Sequence, residues 1–138
     1  MSRIKGVLIK NGSVKEYDFD CKSYKDFYEL LNIDCFDVVQ RRFNDSVLDV
    51  YCDDEALLKK ELPLVSIAKI DKLGNVVDCI YGNVFICNHD SIGETISLTD
   101  KEVCDVLKNR IILKDTVTNK MYNAVRSWGK DKWIEKKR

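Results

Sequence analysis

Near its C-terminus the chain interleaves cations with indoles: Arg126, Trp128, Lys130, Lys132 and Trp133. Such a run neutralises phosphate charge while a ring stacks on a base, which is the chemistry of nucleotide or single-strand recognition. If MYNAVRSW is a strand, Tyr122, Ala124, Arg126 and Trp128 share one face, and a ring and a guanidinium then address one anionic ligand. The same side chains also have an ordinary use, Trp128 closing the core and Trp133 packing on a partner subunit. Arg41 and Arg42 are a second candidate pair for phosphate. Adjacent strand positions point to opposite faces, so one of the two turns inward, where a guanidinium needs either an acid or an anionic ligand. Tyr81-Gly82-Asn83 is the third place to look. Gly82 lets another backbone approach closely and Asn83 offers donor and acceptor together, although a tight connection explains the same three residues.

Nucleophilic catalysis needs a base within hydrogen-bond reach of the nucleophile, and His89 is the only imidazole. It lies in FICNHDSIGE with Cys87, Asp90, Ser91 and Glu94 nearby, but in a strand Cys87 and His89 are merely neighbours on one face and the rest is loop. His89-Asp90 reads equally as a polar exit from a strand. There is no HExxH, no EF-hand loop and no CxxC pair, so no metal site is expected. The absence of GxxxxGK[ST] and GxGxxG excludes the common nucleotide-hydrolysing and dinucleotide-binding frameworks, and no cofactor is expected. The candidate ligand-binding set is thus Arg126, Trp128, Tyr122, Arg41, Arg42, Tyr81, Asn83 and His89, with no catalytic residue.

The 23 basic and 23 acidic side chains cancel, which argues against both a strongly acidic DNA mimic and a generally basic nucleic-acid binder. The charge is nevertheless polarised: residues 1–100 carry 12 Lys/Arg against 18 Asp/Glu, and residues 101–138 carry 11 against 5. Polarity of this kind favours contacts between copies of the chain or draws an anion to one end, and is equally the mark of a solvated basic tail. The opening MSRIKGVLIKNG offers only Val7, Leu8 and Ile9 before Lys10, too short for a secretory core or a membrane span. A cytoplasmic setting follows, with the six cysteines as free thiols.

These side chains must be positioned by a chain of 138 residues, 45% hydrophobic and with a single Pro, a size and composition that suit one folded domain spanning 1–138. Asn11-Gly12-Ser13 joins IKGVLIK to VKEYDF as a hairpin. Tyr24, Phe27, Tyr28 and Leu31 recur at helical spacing, with Ser23 as N-cap and Asp26 three residues on. CFDVVQRRF (35–43) and SVLDVYC (46–52) make a second hairpin across Asn44-Asp45. Asp53-Asp54-Glu55 then opens a helical turn over ALLKKEL that Pro63 ends. Strand character returns in LVSIAKI, VVDCIYG and NVFICN. Thr99 and Glu102 form a capping box before the stripe Val103, Val106, Leu107, predicting a helix at about 100–110. IILKDTV and MYNAVRSW close the chain as a last hairpin, followed by the basic tail. Hairpins with two or three short helices predict an α+β domain with a mainly antiparallel sheet.

Several of these signals, DDE (53–55), Leu62-Pro63, Ile80-Tyr81-Gly82-Asn83-Val84-Phe85-Ile86, Gly93-Glu94 and Ser97-Leu98-Thr99-Asp100, are similar to a family known as domain of unknown function 3846, small proteins of bacteria and especially phages. The resemblance covers about residues 1–110 and leaves 110–138, the last hairpin and tail, outside it. It implies an architecture and a phage-type setting, and no catalytic residue. Combined with the basic-aromatic run, the expectation is a non-enzymatic counter-defence protein that oligomerises and sequesters a small anionic, nucleotide-derived immune signal. Two alternatives stand beside it: a protein that blocks a host defence effector through a surface patch, and an RNA or single-stranded DNA binder using the tail.

Overall fold

A computed structural model of the chain describes residues 3–127. Trp128, Trp133 and the basic tail lie outside the described residues. Asn11 and Gly12 take φ values of 52° and 78°, the left-handed pair that a two-residue type I′ loop demands. β1 (Arg3–Lys10) therefore folds straight back on β2 (Ser13–Asp20), with Lys10 opposite Ser13. Ser13 is strand, not turn, because the loop needs only two residues. β3 (Phe36–Phe43) and β4 (Ser46–Asp53) pair across Asn44-Asp45 as the sequence predicts.

The sequence also predicts strands in LVSIAKI (64–70), VVDCIYG (76–82) and NVFICN (83–88), but the third leaves the second. β5 (Val65–Ile70) and β6 (Val76–Tyr81) form an antiparallel hairpin, whereas β7 (Val84–His89) crosses to another sheet and inserts between β1 and β4. Its four consecutive buried residues, Val84 to Cys87, suit a central strand covered on both faces. The first sheet runs β2-β1-β7-β4-β3, and a two-residue strand β8 (Thr95–Ile96), too short to leave a sequence pattern, pairs with β7. The second sheet runs β6-β5-β10-β9, where β9 is Arg110–Lys114 and β10 is Met121–Ser127. Among the described residues every pairing is antiparallel except β10 with β5. The mainly antiparallel α+β class is the one expected.

Among the described residues two helices complete it. α1 (Lys25–Leu31) is capped by Tyr24 without a side-chain bond, not by Ser23. The Asp26 carboxylate turns back instead and accepts from the backbone N–H of Lys22 at 2.6 Å and of Ser23 at 3.1 Å, satisfying donors ahead of the helix. α2 (Asp100–Leu107) has the predicted capping box: Thr99 Oγ1 accepts from Glu102 N and Glu102 Oε1 from Thr99 N. The helical turn expected up to Pro63 shrinks to one 3-10 turn, Ala56–Leu58. Leu57 and Leu58 are 71% and 81% exposed, so no apolar stripe finds a core there to hold a longer helix.

Alternation along the strands of the first sheet feeds two cores. Ile4, Leu8, Tyr51, Phe85 and Cys87 pack against α1, where the Phe27 and Tyr51 rings stack with centroids 4.1 Å apart. Val7, Ile9, Leu48, Val50, Val84 and Ile86 face the other way and meet Ile67, Ile80 and Val125 of the second sheet and Val103 and Val106 of α2. Both sheets thus share one apolar layer. At Gly6 the strands press together so closely that a Cβ would stand 2.2 Å from the Ile86 carbonyl oxygen.

Candidate functional site

Five segments that are distant in sequence enclose a cleft of about 410 Å³. The β1–β2 loop gives Asn11 and Gly12, the end of α1 gives Leu31, Asn32 and Ile33, the run from the end of β4 into β5 gives Asp53, Lys59, residues 61–64 and Ser66, the β6–β7 connection gives Gly82 and Asn83, and the β9–β10 loop gives Asp115. Asn83 locks this frame: its Oδ1 accepts from Asn11 N at 3.0 Å and its Nδ2 donates to the Leu31 carbonyl at 2.9 Å. Gly82 N donates to the Leu64 carbonyl at 2.8 Å, and Ser66 Oγ donates to the Gly82 carbonyl. The Tyr81-Gly82-Asn83 connection, read from the sequence as a ligand contact or a tight connection, holds the frame together, with each end of the Asn83 amide bonded to backbone while the residue lines the cleft.

Among the described residues, Asp53, Glu61 and Asp115 line the cleft against a single cation, Lys59. The Asp53 side chain is only 2% exposed. Its Oδ1 accepts from Glu55 N at 2.9 Å, while Oδ2 has Lys59 Nζ 2.9 Å away but receives no well-directed hydrogen bond among the described residues. Leu31, Ile33, Leu62, Pro63 and Leu64 supply apolar wall. A cleft so lined favours a cationic or donor-rich occupant over a phosphate.

The remaining candidates fall at separate places. Arg41 points inward, as one of the pair must, and meets an acid: Nη2 is 3.2 Å from Asp78 Oδ2, with Nη1 donating to the Gln40 carbonyl. Arg41 and Tyr81 line a second hollow of about 190 Å³ between the outer strands β3 and β6. There the Cys52 thiol is pushed up to about 11 by burial first and by Asp37 next, with Arg41 opposing. Arg42 Nε donates to the Asn44 carbonyl at 2.8 Å. Arg126 Nη2 reaches Asn109 Oδ1 at 3.5 Å, and Asn109 Nδ2 donates to Asn44 Oδ1 at 3.1 Å, so Arg42 and Arg126 share one polar chain. Tyr122 accepts a hydrogen bond at its OH from Val65 N at 3.3 Å. The structure places Arg41 and Tyr81 on one hollow and links Arg42 to Arg126 only through Asn44 and Asn109, and does not gather the described candidates into one pocket; Trp128 is outside the described residues.

His89 shares the α1-side face of the first sheet with Cys87, as alternation predicts, and has a partner that sequence reasoning missed. Its Nδ1 is 2.6 Å from Oδ2 of buried Asp49 on β4, and Gln40 Nε2 donates to the other Asp49 oxygen at 3.4 Å. The available signal was an Asp in the apolar run SVLDVYC, since a carboxylate buried in a strand must find a partner. Cys87, on the same face, is no ready nucleophile because burial pushes its thiol well above the usual range. Tyr51 is likewise pushed up to about 12 by burial, against a hydrogen bond with Thr95.

The fold and cleft together define a mainly antiparallel α+β protein with an acid-lined cleft that the exposed Leu62 borders. Residues 4–110 match the family described as Domain of unknown function (DUF3846), and the chain belongs to that family. No curated protein and no solved structure matches it. Asp53, Leu62, Pro63, Gly82 and Asn83, from three of the stretches that carry the resemblance, all border the cleft. Most of β9 and all of β10 lie beyond the matched residues. Among the described residues no helix is long and apolar enough to cross a membrane.

Proposed function

We propose that this chain is a non-catalytic binding protein that acts by covering a surface of another protein. The observation that carries the reading is the segment after β4, where Leu57, Leu58 and Leu62 are 71%, 81% and 55% exposed within six residues, Leu62 lining the larger cleft and Leu57 the smaller hollow. Isolated exposed leucines are ordinary; three on one short connecting segment form the kind of apolar anchor that interfaces use. Sequestration of a nucleotide-derived anion is less well supported by the described residues: Arg41 is held by Asp78, Arg42 by the Asn44 carbonyl, His89 by Asp49, and the larger cleft is acid-lined. In the phage-type setting that the family resemblance implies, the partner is a host defence effector.

Native mass spectrometry of the full chain purified from bacterial cells carrying such defence systems, compared with the denatured mass, separates the readings. A species heavier by one protein subunit in fixed ratio, lost when Leu57 and Leu58 are both changed to Ser, is the expected result. A gain of a few hundred daltons per chain, or a mass multiple of this chain alone, overturns it in favour of a sequestered small molecule or a self-assembly.

A further inference from the structure

We infer that the cleft receives an arginine side chain of the partner protein, its guanidinium taking the place of Lys59 on Asp53. The inference rests on the protein-binding reading and names the chemistry of its contact.

Burying a carboxylate is costly unless its oxygens are both charge-paired and hydrogen-bonded. Asp53 meets half of that requirement. Oδ1 has the Glu55 N–H, but Oδ2, inside the cleft wall, has the Lys59 ammonium at 2.9 Å without a directed hydrogen bond. Lys59 is 45% exposed at its side chain and reaches in from the rim on a flexible stem. An ammonium is a strongly hydrated point charge, whereas a guanidinium is a planar fork that donates in fixed directions and sheds its water more readily. A guanidinium entering here gives Oδ2 a directed hydrogen bond in place of the Lys59 ion pair and returns Lys59 to solvent. Glu61 and Asp115 add attraction along the approach, and Leu62 with Pro63 offers apolar surface for the methylene stem. A phosphate in the same place would face three carboxylates and one lysine.

The test uses the full chain, labelled with nitrogen-15, and four probes: N-acetylarginine methylamide, the uncharged citrulline analogue, the lysine analogue and inorganic phosphate. Saturable shifts of the Gly12, Ser66 and Asn83 backbone amides are expected with the arginine probe, about fivefold tighter than with the citrulline probe and tighter than with lysine. Lys59→Gln should tighten arginine binding about twofold and Asp53→Asn should weaken it about fivefold. Should Asp53→Asn fail to fold, Glu61→Gln, an exposed change at the rim, is expected to weaken binding while Lys59→Gln strengthens it. Equal shifts with citrulline, no response to either rim variant, or phosphate moving the same amides overturns the inference. A protein complex that survives Glu61→Gln and Asp53→Asn unchanged in native mass spectra, with a silent titration, removes the arginine contact and leaves the protein-binding reading. A positive titration with no protein partner does the reverse.

Discussion

Arg41 on β3 and Asp78 on β6 tie together the outer strands of two different sheets, Nη2 to Oδ2 at 3.2 Å. The arginine side chain is 19% exposed and the aspartate 54%, so the pair is half in water and its Coulomb energy is screened. A double-mutant cycle of Arg41→Ala and Asp78→Ala, read by urea unfolding, should give a coupling of about 0.5 kcal/mol. A coupling of zero would mean that the two strands are held by the apolar layer alone.

Asn83 is expected to behave as a fastener rather than a ligand contact. Asn83→Ala leaves the Asn11 N–H and the Leu31 carbonyl without their partner and should cost about 2 kcal/mol of stability. Asn83→Asp keeps the acceptor for Asn11 but cannot donate to Leu31, so it should fall between alanine and wild type. Equal stability of the alanine variant and wild type in thermal unfolding would refute the fastening role.

What the sequence disclosed follows from how far apart the determinants lie. The Asn11-Gly12 loop and the Thr99–Glu102 capping box are written within four residues each, and both are where the pattern puts them. Asp49 and His89 are separated by 40 residues, and nothing local in either strand shows that β7 will lie beside β4. The cleft is harder still, since five segments build it and Asp53 reads as one acid of a helix start until the 3-10 turn places it inside. The Ser23 cap is absent because the Asp26 N–H that its hydroxyl would accept goes to the Ser23 backbone carbonyl at 3.0 Å, while the Asp26 carboxylate takes the N–H groups of Lys22 and Ser23 ahead of the helix.

Gly6 reports on how tightly β1 and β7 are packed. A methyl group there would lie 2.2 Å from the Ile86 carbonyl oxygen and 2.6 Å from the Phe85 ring, and backbone cannot swing aside as a side-chain tip can. Gly6→Ala should therefore cost about 3 kcal/mol, the upper range for overpacking, with a lowered midpoint in urea and an unchanged slope. A loss under about 0.5 kcal/mol would mean that the strands separate freely, contrary to this packing.

The six thiols should divide by access. Cys35 and Cys104 are exposed, Cys79 is half-buried, and Cys21, Cys52 and Cys87 are buried. Cys35 is held above the ordinary thiol value, by desolvation first and by Asp54 and Glu55 next, so its thiolate is scarce. With a chromogenic disulfide at pH 8, Cys104 should react first, Cys35 more slowly, and the buried three only on unfolding. Rapid reaction of Cys87 in the native state would contradict its place in the core.

The polar link under α2 sets an acid limb to stability. Asp105 is buried, which alone would raise its carboxyl, but Ser46 Oγ donates to it at 2.6 Å and Lys101 Nζ at 3.1 Å, and these hold it below the ordinary carboxylate value. A carboxylate with a depressed folded value binds its proton more weakly in the folded chain than in the unfolded one. Its contribution is therefore complete above the unfolded value of about 3.9 and is lost as pH falls through the folded value. Asp105→Asn should cost about 2 kcal/mol at neutral pH by weakening the contacts to Ser46 and Lys101. The gap between variant and wild type should then narrow as pH is lowered from about 5 to 2, because the wild-type carboxyl becomes neutral as well. Urea unfolding at a series of pH values measures this directly. Parallel stability curves for the two proteins across the acid range would show that Asp105 does not titrate with folding, and would transfer the acid limb to Asp26 and Asp100, whose carboxyls are lowered by the N–H groups of Lys22 and Ser23 and by Lys5.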